Sequence, residues 1–187
     1  MTKSELKEII QQDLLRYSIM QPLTLFVFLK CFGPNYAPGL KYILVCRLCK
    51  YYKSKSRWMF YFFMLWLRKL TNKYGLDISY RTKIGKGLYI GHFGGIVIHG
   101  DVEIGENCNI SQGVTIGVLV RGKKAGVPKI GNRVFIGPGA TILGNIVIGD
   151  DVLIGTQAIV TFDVPNQSVV AAPLAKIISS EGSKGYI

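Results

Sequence analysis

Histidine is nearly missing from this chain: His92 and His99 are the only two in 187 residues. A three-histidine zinc centre is therefore excluded unless other residue types complete it. Cysteine is scarce as well. Cys31, Cys46, Cys49 and Cys108 are too few and too scattered for a disulfide framework. Cys46 and Cys49 form a CxxC with neither a second pair nor a nearby histidine, so no metal is expected. No apolar run is long enough to cross a bilayer; the run from Trp58 to Leu67 is about half the required length. No signal peptide opens the sequence, since "MTKSELKEIIQQDLLRY" is amphipathic and charged. A cytoplasmic protein is the expectation.

Acidic residues are few, 11 against 23 basic ones, and the net charge is +12. The imbalance is local. Residues 1 to 90 carry 16 Lys and Arg against 4 Asp and Glu, whereas residues 91 to 187 carry 7 of each. In the first part the basic residues interleave with aromatics, as in "LCKYYKSKSRWMFYFFMLWLRKL" (Leu48 to Leu70). Two readings stand side by side: an interfacial helix at the inner face of a membrane, and a helix packed against its own protein or a symmetry mate. Nucleic acid is not expected, because no binding motif accompanies the charge.

The remainder of the chain is periodic. From Ile130 an aliphatic residue recurs every six positions, at Ile130, Ile136, Ile142, Ile148, Ile154 and Val160, and four of these precede a glycine. The same spacing runs through Ile84, Ile90 and Ile96, and in a second register through Ile98, Ile104, Ile110 and Ile116. Residues six apart on an α-helix lie about 120° from one another, so no helical stripe forms. A short strand, a corner and another short strand fit the pattern, with three strands to a triangular turn of roughly 18 residues. The predicted organisation is a helical region over 1–75, a β-helix over 76–178 and a tail over 179–187. The step from Ile116 to Ile130 is 14, read as two clean steps of six with two residues over; "VLVRGKKAGVP" (residues 118–128) is predicted to leave the coil as a basic, glycine-rich loop.

This periodicity resembles the hexapeptide-repeat acyltransferases, and the resemblance implies a left-handed parallel β-helix assembled as a homotrimer. Within that superfamily the chain is similar to the serine acetyltransferase branch. The segments that carry the likeness are "DLLRY" (Asp13 to Tyr17), "PGLKYILVCRL", "IGKGLYIGHFGGIVI", "NISQGVTIG", "PKIGNRVFIGPGATILGNIVIGDDVLIG" and the closing "AAPLAKII". The resemblance implies acetyl-CoA as co-substrate, and His92 in "GHFGG" as the general base that takes the acceptor's hydroxyl proton. It places the pantetheine arm between neighbouring subunits along Gly117, Pro138 and Thr156, and the nucleotide phosphates at Lys176. Arg121, Lys123 and Lys124 of the loop are candidates to assist. For His99 the better reading is a coil-surface or subunit-interface residue.

The departures from that branch concern the acceptor. The branch places an acidic residue before the base, where this chain has Gly91. It places an Arg-His pair before "PKI", where Gly126 and Val127 stand, and an aspartate before a proline in the helical region, where Gln21 precedes Pro22. Losing several partners for a zwitterion at once argues against serine. The expected acceptor is therefore a hydroxyl of a sugar or polysaccharide precursor, as in short polysaccharide O-acetyltransferases, with serine O-acetylation as the alternative and a non-catalytic structural trimer as the reading of another class. Pairing of two trimers through the helices, and orientation of His92 by Asp13 or Asp77, are left open.

Overall fold

The computed structural model describes residues 1–177, 179, 180 and 183. Four helices come first: α1 (Lys3–Arg16), α2 (Leu25–Lys30), α3 (Pro38–Tyr52) and α4 (Arg57–Tyr74). Their ends follow local chemistry. A capping box between Thr2 and Glu5 starts α1, Pro38 starts α3, the Ser56 hydroxyl caps α4, and Gly75 closes α4 at φ 62°.

Among the described residues thirteen short parallel strands follow, stacked into three sheets. One sheet holds β1 (Leu76–Ile78), β3 (Ile96–Ile98), β6 (Thr115–Gly117), β9 (Thr141–Leu143) and β12 (Ile159–Val160). The second holds β2 (Lys83–Ile84), β4 (Glu103–Ile104), β7 (Lys129–Ile130) and β10 (Val147–Ile148). The third holds β5 (Asn109–Ile110), β8 (Phe135–Ile136), β11 (Leu153–Ile154) and β13 (Val169–Val170). Successive strands belong to different sheets, so the chain winds as a triangular coil. The aliphatic ladder read from the sequence lines its inside: Ile98 lies beside Ile116, and Ile116 beside Ile142, all buried.

The ladder corrects one count. Ile104 pairs with Ile130 and Ile110 with Ile136, a rise of 26 residues where an undisturbed coil rises 18, as from Ile130 to Ile148. Eight residues are inserted into one step of six; the 14-residue gap is not two steps. The extra length folds as a hairpin, with Leu119 and Gly126 exchanging backbone hydrogen bonds of 2.9 Å in both directions.

Glycine serves two purposes in the coil. Gly85, Gly105 and Gly131 stack where successive coils nearly touch; a Cβ on Gly105 would come within 2.5 Å of the Gly131 carbonyl oxygen. At the corner leading into the first sheet, Gly95, Gly113 and Gly139 form a left-handed column at φ 66°, 73° and 69°.

One buried ion pair ties the helices to the coil. Asp13, with no solvent exposure, accepts from Arg47 Nε at 2.9 Å and Nη2 at 3.2 Å, and from the Gly87 and Leu88 amides at 2.8 and 3.2 Å. Arg47 donates its remaining hydrogen bonds to the Ile84 and Gly85 carbonyls at 2.7 and 2.6 Å. Burial pushes the Asp13 carboxyl up, and the Arg47 charge and the two amides oppose it. Asp13→Ala would leave a guanidinium buried without its counter-charge, so we expect a loss of about 3–5 kcal/mol in urea unfolding. A loss below about 1 kcal/mol would show that the two carbonyls suffice for Arg47.

Candidate active site

The three corners of the coil differ, and His92 sits on one that has been enlarged by two residues. Ile90 to Ile98 spans eight residues instead of six, and the surplus falls in His92, Phe93, Gly94 and Gly95. The extra residues push the imidazole out of the coil. His92 is exposed and makes no hydrogen bond or ion pair among the described residues. Its neighbour Phe93 is steadied edge-on by Tyr74 of α4, ring centres 5.5 Å apart. A free imidazole on a turn steadied by α4 is suited to exchanging a proton with a bound hydroxyl.

Neither carboxylate considered from the sequence orients it. Asp13 is sequestered in the pair with Arg47, and Asp77 lies on the outward side of β1 with no hydrogen bond or ion pair among the described residues. His99 is at a different corner. There its Nδ1 accepts from the Asp101 amide at 3.2 Å and its carbonyl from the Thr82 hydroxyl at 3.3 Å, a surface role.

The positions where the chain lacks the expected polar groups are filled. The Tyr89 ring lies over Gly91, so a Cβ there would meet ring carbon Cε1 at 2.9 Å. Tyr89 is itself packed on Tyr17, ring centres 4.7 Å apart, and the Tyr17 hydroxyl both donates to the Ile90 carbonyl and accepts from the Ile90 amide. Gly126 has φ 134° and backs onto Asn145, which a Cβ would meet at 2.9 Å. Val127 packs against the core, and Gln21 is exposed and engaged through its carbonyl by Gln11 at 3.2 Å. Of these four positions only Gln21 carries a polar side chain, and its recorded contact is through its backbone.

For the co-substrate positions the outcome is divided. Pro138 and Thr156 share the corner of His92 on later coils, with Pro138 accepting from the Gln157 amide at 2.9 Å. Gly117 does not join them: it ends β6, at the far side of the first sheet where the hairpin leaves. Lys176 is exposed in the extended segment after β13, and the rest of the tail lies largely outside the described residues. In the hairpin, Lys124 is taken by Asp163 at 2.6 Å, leaving Arg121 and Lys123 without ion pairs among the described residues.

One residue had escaped notice. Gln112, one coil on from the His92 turn, has a buried side-chain oxygen Oε1 with no hydrogen-bond partner. The coils touch here, since the Gly113 amide donates to the Gly94 carbonyl at 2.9 Å. A buried unpaired acceptor costs about 1–3 kcal/mol and calls for an explanation. Its only sequence signal was its place in "NISQGVTIG", where it reads as one more corner residue.

The thiols take no part. All four are buried, and burial pushes Cys46 up to about 11 and Cys49 to about 12. Among the described residues no group of three or more His, Cys, Asp or Glu stands together as a metal site would need.

A triangular coil of parallel strands with a histidine on a widened corner defines a hexapeptide-repeat transferase, and the family "Bacterial transferase hexapeptide (six repeats)" matches residues 128–161. The chain belongs to the serine acetyltransferase family. It is 39% identical to the serine acetyltransferase of Helicobacter pylori over 145 residues, 77% of this chain and 83% of that one. It is 40% identical to the Staphylococcus aureus enzyme over 108 residues, spanning only 51% of that protein. Among solved structures, serine acetyltransferase of Neisseria gonorrhoeae in complex with serine superposes with a TM-score of 0.73 at 29% identity, covering 94% of this chain and 70% of that one. Isoform 3 of Entamoeba histolytica in complex with cysteine gives 0.74 at 26%, with 95% and 62% covered. The coil is the left-handed parallel β-helix with an N-terminal helical region, and the protein is an acetyl-CoA-dependent acyltransferase.

These relatives overturn the expectation of a glycan acceptor. That expectation rested on absent side chains, and an absent partner for serine does not create complementarity to a sugar. A practical consequence follows from the thiols. Folded protein should give no rapid colour with an aromatic disulfide reagent at pH 8, and four thiols per chain should appear on denaturation; rapid reaction in the native state would show the burial of Cys46 and Cys49 to be wrong.

Proposed function

We propose that this chain transfers the acetyl group of acetyl-CoA to the hydroxyl of L-serine, with His92 as general base. The observation that carries the reading is the unpartnered imidazole of His92 on its widened corner; kinship with serine acetyltransferases supports serine as the acceptor. The imidazole removes the serine hydroxyl proton as that oxygen bonds to the thioester carbon. When the carbon–sulfur bond breaks, the imidazolium returns the proton to the departing sulfur, giving O-acetylserine and free coenzyme A. Backbone amides of the corner are the donors available to the oxyanion.

Gln112 positions serine. An amide oxygen accepts but cannot donate, so its natural partner is a donor, and the ammonium of serine supplies one. This offsets part of what the chain lacks at Gly91 and Val127, neither of which carries a polar side chain.

The working unit is a homotrimer. Gly117 and the pair Pro138 and Thr156 stand at opposite edges of the first sheet, so a pantetheine groove using both needs two neighbouring copies. Lys176, Arg121 and Lys123 then supply positive charge for the nucleotide phosphates.

Two substitutions test the reading. His92→Ala should lower kcat by at least about a hundredfold with coenzyme A binding unchanged by calorimetry; full activity would remove His92 from the mechanism. Gln112→Leu should raise KM for serine about tenfold or more and leave KM for acetyl-CoA unchanged, because it removes a hydrogen bond to a charged donor. Equal changes in both constants would mark Gln112 as a structural residue of the corner.

A further inference from the structure

From Leu14 to Leu76 the chain contains no aspartate or glutamate, although it carries 11 lysines and arginines over those 63 residues. The stretch includes α2, α3 and α4, so three consecutive helices form with no acidic side chain of their own. One face of α4 enters the core through Phe63, Leu67 and Leu70. A second apolar stripe faces out. Trp58 is 84% exposed, Leu65 64%, Phe62 51% and Tyr61 45%, at positions i, i+3, i+4 and i+7 of one helical face. Arg57 precedes this stripe and Arg68 and Lys69 follow it, all exposed. Arg57 also lies over the Tyr61 ring at 5.8 Å. Against the middle of α4 packs Phe32, just beyond α2, its ring centre 4.8 Å from that of Trp66, and α2 adds its own exposed Leu25, Phe26 and Leu29.

We propose that this face of α4 docks on an anionic lipid bilayer, lying in the headgroup plane with Trp58, Phe62 and Leu65 inserted and Arg57, Arg68 and Lys69 on the lipid phosphates. The combination of features selects this occupant. A second copy of the same face would bring basic flanks against basic flanks, with no acidic group in α2, α3 or α4 to separate them. A nucleic acid would satisfy the charges but leave Leu65, at the end of the stripe, without a partner. A bilayer surface satisfies both, since the aromatic and aliphatic tips reach the acyl boundary while the cations stay among anionic headgroups. No described helix is long and apolar enough to cross the membrane, so the contact is peripheral.

Co-sedimentation of the purified protein with vesicles tests it. Vesicles of phosphatidylglycerol and phosphatidylethanolamine should carry the protein down, vesicles of phosphatidylcholine alone should not, and high salt should release it. Arg57→Gln with Lys69→Gln should weaken binding about thirtyfold, since each basic residue near the surface contributes about 1 kcal/mol. Trp58→Ser with Leu65→Ser should also weaken binding while leaving turnover of soluble serine intact, which separates this proposal from the catalytic one. Equal binding to neutral vesicles, or none to anionic ones, would overturn it. So would a drop in molecular mass of the Trp58→Ser, Leu65→Ser protein without vesicle binding by the parent, which would assign the face to a second copy. Retention on single-stranded RNA with no vesicle binding would assign it to nucleic acid.

Discussion

Asp13 joins three stretches of chain that are far apart in sequence. It belongs to α1, its counter-charge Arg47 to α3, and the amides and carbonyls that complete both groups to residues 84–88 of the first full coil. A parallel coil has an open end whose strand edge needs a cover, and here the cover is the helical region. An apolar contact would hold the two together but tolerate sliding. A carboxylate and a guanidinium that are both desolvated tolerate very little, because any shift leaves a charge or an amide without its partner. Gly39 sharpens the fit, letting α3 lie directly on the Ile90 carbonyl, two residues before His92. The clamp therefore fixes the approach to the widened corner as well as the end of the coil.

From that fixed edge the coil repeats with little variation until two interruptions occur. The two-residue surplus carries His92, and the eight-residue surplus makes the hairpin closed by Leu119 and Gly126. Both depart from the same sheet, at opposite corners. The rigid repeats between them set the spacing, which is how a scaffold without flexible parts holds functional groups on its corners.

Much of this was legible from the residues. The six-residue spacing of Ile130 to Val160 is a geometric signature, because each undisturbed side of a three-sided coil brings one aliphatic residue inward every six positions, and the two register slips fell where the histidine and the hairpin are. The size of the second slip was misread, since a gap of 14 does not say whether one or two corners lie inside it. Asp13 stood out in the sequence only within "DLLRY", and its partner depends on the pairing of α1 with α3, which no local pattern encodes. Gln112 gave no signal because its distinction is the lack of a hydrogen bond, a property of three-dimensional surroundings. The absences at Gly91 and Val127 were read correctly as absences and wrongly as evidence for a different acceptor.

The packing of Tyr89 over Gly91 also bears on how such a site changes through time. A larger residue entering at position 91 meets the tyrosine ring at once, so its effect depends on what occupies position 89. A side chain at position 91 is therefore accommodated only if the Tyr89 ring swings aside. Tyr89 in turn leans on Tyr17, whose hydroxyl holds both polar groups of the Ile90 backbone, so the dependence extends into α1. Position 91 is thus coupled through two stacked rings to the helix that also carries Asp13, so a change beside the histidine is felt at the clamp that seats α1 on the coil.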